Sequence, residues 1–355
     1  MSKSVSIAAF ILGVVAAAGC EHDHPFKSSM KLGGQEVSAD TLNRGRDAYQ
    51  QYCRPCHGDN GDGKGYSSLG LRPPPRDFTQ GLFKFGHTQI PNLPPDAELK
   101  QLVTKGLHGT AMLPWDIQDQ ELDAALQYIK TFSPKWQQEA PGKPIEVSAD
   151  PFGEAKRAEA ITLGEELYHA KAQCSGCHPA FVTHEKLFNI TKKMNGTGQT
   201  DFSAEMYLAQ LKDTEYCLEW KPGPPNQKLD DRECAKVVKQ LPPNFTRDPL
   251  KTIYAGSELT DLYRTIASGI GGAAMPTWKG TLKEEELWGL VYYVKSLMDK
   301  RGTPAAKELA DLLNAPANMS WQPPKAEPAP TEGTPPTGGK PAPAPAPKTE
   351  PAKKG

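Results

Sequence analysis

Two short stretches hold the residues best able to do chemistry. "YCRPCHGDNGDGKG" (52–65) places Cys53, Cys56 and His57 ahead of Gly58, Gly61, Gly63 and Gly65, and "QCSGCHP" (173–179) repeats the spacing with Cys174, Cys177 and His178. Three chemistries use such sets. A redox thiol pair sits at a helix start after a buried strand; no strand-like run precedes either pair, and a histidine directly after the second cysteine has no part in thiol exchange. A phosphate loop is nearly spelled by Gly58-x-x-x-x-Gly63-Lys64, but Gly65 stands where a hydroxyl would hold Mg²⁺, no apolar strand leads in, and the second stretch has "PAFVTHEK" in place of the glycines. The third is covalent haem. Thiols three positions apart can form thioethers to its two vinyl groups, and the adjacent imidazole reaches the iron from the same turn. The repeated C-x-x-C-H spacing therefore predicts two haem c groups, one on Cys53, Cys56 and His57 and one on Cys174, Cys177 and His178.

Both stretches sit in a larger duplication. Upstream, "GRDAYQQYCRPCH" (45–57) answers "GEELYHAKAQCSGCH" (164–178), both with Gly-x-x-x-Tyr, the second two residues longer. Downstream, "PPRDFTQGLFKFG" (74–86) answers "PPNFTRDPLKTIY" (242–254). "ELKQLVTKGLHGTAMLPW" (98–115) answers "ELTDLYRTIASGIGGAAMPTW" (258–278), each ending Met-x-x-Trp. Each copy closes on an amphipathic helix pattern with acids in its first turn, 119–132 and 283–297. His178 to Phe245 is 46 residues longer than His57 to Phe78, so an insertion precedes Phe245 in the second copy.

The duplication bears on the iron's opposite face. Met112 is the only methionine between His57 and Ser133, and of Met194, Met206, Met275 and Met298 only Met275 stands at the equivalent place. A methionine packs in a core as readily as it ligates, and His108 is a rival to Met112, without a matching histidine in the second copy. Equivalence favours Met112 and Met275, giving His57/Met112 and His178/Met275 as metal ligands. His87, His169 and His184 are expected at the surface or beside haem propionates.

Seven cysteines remain consistent with an exported chain: Cys20, the two C-x-x-C pairs, and Cys217 with Cys234. The last two, with no histidine beside them, are expected to form a disulfide inside the insertion, the alternative being a reactive or metal-binding pair. Lys3 followed by "VSIAAFILGVVAAAGC" reads as a signal peptide, and "AAGC" as a lipobox that would make Cys20 the lipidated N-terminus. The Pro/Ala-rich end has nothing to bury. With a net charge of −1 the chain carries no bias towards nucleic acid.

On "CHGDNGDGKG", the Gly-x-x-x-Tyr helix, the Met-x-x-Trp segment and the closing helix, the chain resembles class I c-type cytochromes twice over. The resemblance implies an all-α fold of two tandem cytochrome c class I domains, the second with a disulfide-containing insertion. First and last helices would cross at Gly45 against Tyr128/Ile129 and at Gly164 against Tyr292/Tyr293. Arg72, Arg76 and Lys84 fall where the family presents propionate partners. The expected organisation is signal peptide with lipobox 1–20, flexible segment 21–40, domain 1 41–133, linker 134–158, domain 2 159–301 and disordered tail 302–355. Function would be electron transfer without catalysis, at the periplasmic face of a membrane, with a membrane oxidase, reductase or dehydrogenase or a soluble cytochrome as partner. The alternatives are a di-haem enzyme of peroxidase or thiosulfate-oxidising type, which needs an open iron, and the cytochrome subunit of a dehydrogenase complex.

Overall fold

The computed structural model describes residues 24–221 and 233–324. Cys20, the lipobox and the Pro-rich end lie outside them. Two helical units succeed one another along the chain, each with its own core.

In the first, α1 (Ala39–Tyr52) starts where the Ser38 side chain accepts from the Thr41 amide and runs directly into a short attachment helix, α2 (Arg54–His57). Then come α3 (Asp96–Lys105) and the closing helix α4 (Asp119–Lys130). α1 and α4 cross at Gly45: a Cβ there would lie 2.1 Å from the Ala124 carbonyl oxygen and 3.0 Å from Tyr128 Cβ. The close approach is open to glycine alone. Leu42, Tyr49, Leu122, Leu126 and Ile129 fill the core around the crossing.

The second unit repeats this with α6 (Arg157–Glu166), α8 (Glu258–Ser268) and α9 (Glu284–Met298). Gly164 meets the Gly289 carbonyl oxygen, 2.0 Å from a notional Cβ, and Tyr293 Cβ at 2.7 Å. The crossing is the one expected, with Tyr128 and Tyr293 in place and the tightest backbone contacts one turn earlier, at Ala124 and Gly289. The two extra residues of the second copy are absorbed locally: α6 continues as a π-helical turn, Leu167–Lys171, and Gln173 takes a left-handed φ of 51° before Cys174.

The insertion carries α7 (His184–Asn195) and an antiparallel hairpin of β3 (Lys212–Trp220) and β4 (Cys234–Gln240). Cys217 and Cys234 are bonded across it, as expected from their leftover status.

Four expectations need correction. The fold is mainly helical but not all-α, since a second hairpin, β1 (Met30–Leu32) with β2 (Gln35–Val37), precedes α1. Residues 30–37 are therefore not a flexible leader: Leu32 is fully buried in the first core and the Gly33 amide donates to the Trp136 carbonyl. The 134–158 segment is not a free linker either. Its α5 (Lys135–Gln138) drives Trp136 into the first core, while Ile145 and Phe152 enter the second. Last, the chain stays ordered past 302 in α10 (Pro304–Asn314) and α11 (Pro316–Met319). Leu313 is buried there, and the Asn318 amide joins Tyr207 Oη (2.8 Å) to the His184 backbone (2.8 Å). At 30–37 and 134–158 a few apolar anchors spaced among Pro and Gly supply enough burial to order the segment, with no periodic pattern to announce it, whereas 304–314 carries a helical spacing of Ala and Leu that the neighbouring Pro-rich end obscures.

Candidate haem sites

Attachment begins at the end of α1, where the chain tightens into a turn. The His57 and Gly58 amides donate back to Cys53 and Arg54, putting both thiols and the imidazole on one wall. Cys53 and Cys56 are not bridged to each other. Burial, and then the neighbouring Cys56, pushes the Cys53 thiol up to about 12. A redox-active pair needs the opposite, an accessible thiolate of lowered pKa.

His57 is fixed from behind. Its Nδ1–H donates to the Arg76 carbonyl (3.0 Å), and its ring stacks on Phe78 with centroids 4.4 Å apart. This fixes the tautomer and leaves Nε2 bare, the arrangement a metal-binding histidine requires. Burial also lowers its pKa, favouring the neutral ligand form. Tyr49 Oη, from the Gly-x-x-x-Tyr helix, donates to the Gly58 carbonyl (2.7 Å) and pins the turn to α1.

Opposite lies the loop after α3. Gly106 (φ 68°) ends that helix, and a Cβ there would meet the backbone of 112–114. The Leu107 amide donates to the Met112 carbonyl (2.7 Å), and the Met112 amide to Thr110 Oγ1 (3.1 Å). Cys53, Cys56, His57 and Met112 line one cavity of about 210 Å³, closed by Phe78, Phe83, Leu99, Leu102, Leu126 and Ile129. His108, the rival ligand, is exposed, packs on Tyr254 (5.3 Å) and is not in that wall. An apolar cavity with unbridged thiols and a bare imidazole on one side and a thioether on the other fits haem c.

The second copy reproduces the geometry atom for atom in its supports. His178 Nδ1 donates to the Pro243 carbonyl (3.0 Å), its ring stacks on Phe245 (4.7 Å), and Tyr168 Oη donates to the Pro179 carbonyl (2.9 Å). Burial lowers the His178 pKa and raises that of Cys174 to about 12. Gly269 (φ 74°) ends α8, the Ile270 amide donates to the Met275 carbonyl (3.2 Å), and Cys174 and Met275 pack on the same core. Met194 and Met206 belong to a separate cluster in the insertion.

The chain from 40 to 129 matches the family described as "Cytochrome C oxidase, cbb3-type, subunit III". Residues 40–129 are a c-type cytochrome domain. Such a domain implies covalent haem c and haem-based electron transfer. The chain is also similar to a solved structure from Kuenenia stuttgartiensis, a chain of its reducing HAO-like protein complex. The two are 24% identical with a TM-score of 0.53, over 72% of this chain and 95% of that one, a likeness of fold. No curated protein matches the chain.

Several residues near the cytochrome domain escaped sequence reasoning. Of the suggested propionate partners Arg76 and Lys84 line the cavity and Arg72 does not, while Lys251, from the second copy, does. The loops are also braced reciprocally between domains: the His108 amide donates to the Lys251 carbonyl (2.9 Å) and the Gly271 amide to the Lys84 carbonyl (3.1 Å). His108 and Gly271 each stand four residues before their methionine, and Lys84 and Lys251 each six after the stacking phenylalanine. Tyr254 Oη adds a bond to the Gly106 carbonyl (2.8 Å). Aligning the repeats exposes these pairs; nothing in either copy alone points across the interface. His87, His169 and His184 are not surface residues. His87 pairs with Glu98 (2.7 Å), His169 donates to the Glu165 carbonyl (2.8 Å) and accepts from the Phe181 amide (3.3 Å), and His184 lies stacked between Phe202 and Tyr207, all three buried. They are buried because aromatic and helical partners replace water around each ring.

Proposed function

We propose that the chain is a di-haem c-type cytochrome that passes electrons between protein partners, with Cys53, Cys56, His57 and Met112 holding one haem and Cys174, Cys177, His178 and Met275 the other. The observation that carries this is the duplicated support of each histidine: the same Nδ1 bond to a backbone carbonyl, the same stacked phenylalanine and the same methionine loop closed on a left-handed glycine. Haem supplies a one-electron iron couple at each site. A haem held by histidine and methionine together would have a raised potential and no position open to substrate, which would set the carrier apart from the peroxidase-type alternative.

The residues do the rest by position. His57 and His178 are held neutral and aimed; Met112 and Met275 are fixed by their loops; Trp115, in the first cavity wall yet 42% exposed, and exposed Leu113 form an apolar rim where a redox partner can approach. The similar solved chain comes from a protein complex, which favours a place as a redox subunit beside other proteins. Export with a lipid at Cys20 would place the chain at the periplasmic face of a membrane; no helix among the described residues is long and apolar enough to cross one.

Intact-mass measurement of the exported protein after acid–acetone extraction tests the reading. Two covalent haems are expected, and Cys174→Ala with Cys177→Ala should leave one. One haem or none on the unaltered chain overturns it.

A further inference from the structure

The first cavity is apolar almost throughout, yet three cationic side chains reach its wall: Arg76, Lys84 and Lys251. Lys84 and Lys251 are the same residue of the two repeats, and they meet because each is anchored by its carbonyl to the other domain's methionine loop. The Lys84 ammonium makes no hydrogen bond or ion pair with any described residue. Burial, then Arg76 and Lys251, pushes its pKa down to about 7. Asp248 lies within electrostatic reach of Lys251 but is held by Arg247 (2.9 Å). A buried ammonium is costly unless an anion sits against it, and Lys84 has none among the described residues. Haem, which carries two carboxylates side by side on one edge, would supply it.

We propose that Lys84 and Lys251, with Arg76, form a carboxylate clamp built from both domains, which takes the paired propionates of the first haem and turns that edge towards the second domain. The inference rests on the haem reading of residues 53–57. It makes Lys251, a residue of the second copy, a positioning and potential-setting residue for the first site. The iron centre loses one positive charge on reduction, so a cation beside it favours the ferrous state. Removing the cation lowers the potential.

The test is a spectroelectrochemical titration of full-length Lys251→Gln and Lys84→Gln, with Lys251→Arg and the remote, exposed Lys307→Gln as controls. Either glutamine variant should lower one of the two haem potentials, cutting that haem's ferrous-to-ferric ratio at fixed potential roughly three- to tenfold, a factor of ten being 59 mV. Lys251→Arg should restore most of the shift and Lys307→Gln should show none. The shifted component should be the one absent from the chain carrying Cys53→Ala and Cys56→Ala, and its propionate bending bands in resonance Raman spectra should move with it. Should Lys251→Gln lose haem, Lys251→Met, which keeps the buried stem, is read in its place. A first potential unmoved in both variants with both haems attached, or an equal shift in the second haem, overturns the clamp. Failure of the underlying haem reading shows separately, as no haem mass on Cys53 and Cys56 of the unaltered chain.

Discussion

In the first copy α1 runs unbroken from Ala39 to Tyr52 into the attachment turn, whereas in the second the same helix gives way to a π turn over Leu167–Lys171 and a left-handed Gln173 before Cys174. Two extra residues were taken up without moving the tyrosine that pins the turn, since Tyr49 and Tyr168 bond to equivalent carbonyls, one residue after each histidine. The support of the ring and the methionine loop are held constant. What varies is the stretch between the histidine and its stacked phenylalanine: the glycine loop in the first copy, and the helix and disulfide hairpin in the second. The insertion is nonetheless tied to the first domain. The Gln80 side chain donates to the Cys217 carbonyl (2.7 Å) and accepts from its amide (3.2 Å), two residues from the phenylalanine stacked on His57.

The largest difference is expected at the helix crossings. Gly45→Ala and Gly164→Ala each force a methyl onto a backbone carbonyl, and each should cost about 3 kcal/mol or more in denaturant unfolding. The Gly164 change should be the more severe, because it meets the Gly289 backbone at the shorter distance. Equal and small effects would mean the helices can slide apart.

Acid should separate the copies next. His169 has Gln50 as its counterpart, and burial lowers its pKa to about 4. The unfolded chain binds the proton first, so stability contributed by neutral His169 is complete above about pH 6.5 and is lost as pH falls towards 4, at about 1.4 kcal/mol per unit. His169→Gln should flatten that part of the acid-unfolding curve. A slope that survives the substitution assigns it to another group.

The smallest effect concerns the interface. Tyr254→Phe deletes one buried bond to Gly106, worth about 1 kcal/mol. It should speed hydrogen exchange at Leu107 and Met112 more than at Ile270 and Met275, whereas uniform acceleration would show that the loops are not braced separately.

How much of the molecule is legible in the chain depends on where each signal is stored. Attachment residues and methionines are local or repeated, so spacing and alignment single them out, the crossing glycines follow from the resemblance to class I cytochromes, and the Cys217–Cys234 bond emerges by elimination among the cysteines. The hairpin at 30–37 and the Trp136 anchor depend on single apolar residues among Pro and Gly, below any periodic signal, while the helix at 304–314 has a readable apolar spacing that the Pro-rich end after it obscures. Lys251 was hidden for a different reason: its role exists only once two domains meet, and a linear reading assigns each residue to its own copy.

The central claim, that each copy is a complete histidine–methionine haem site, is tested most directly by Met112→Ala and Met275→Ala in the full-length oxidised protein. The weak long-wavelength absorption of ferric iron bound to sulfur is the readout. Each substitution should remove about half of that band and lower the potential of one haem, leaving the other low-spin and unchanged. A band unaffected by either substitution, or a haem already high-spin in the unaltered protein, would contradict the account.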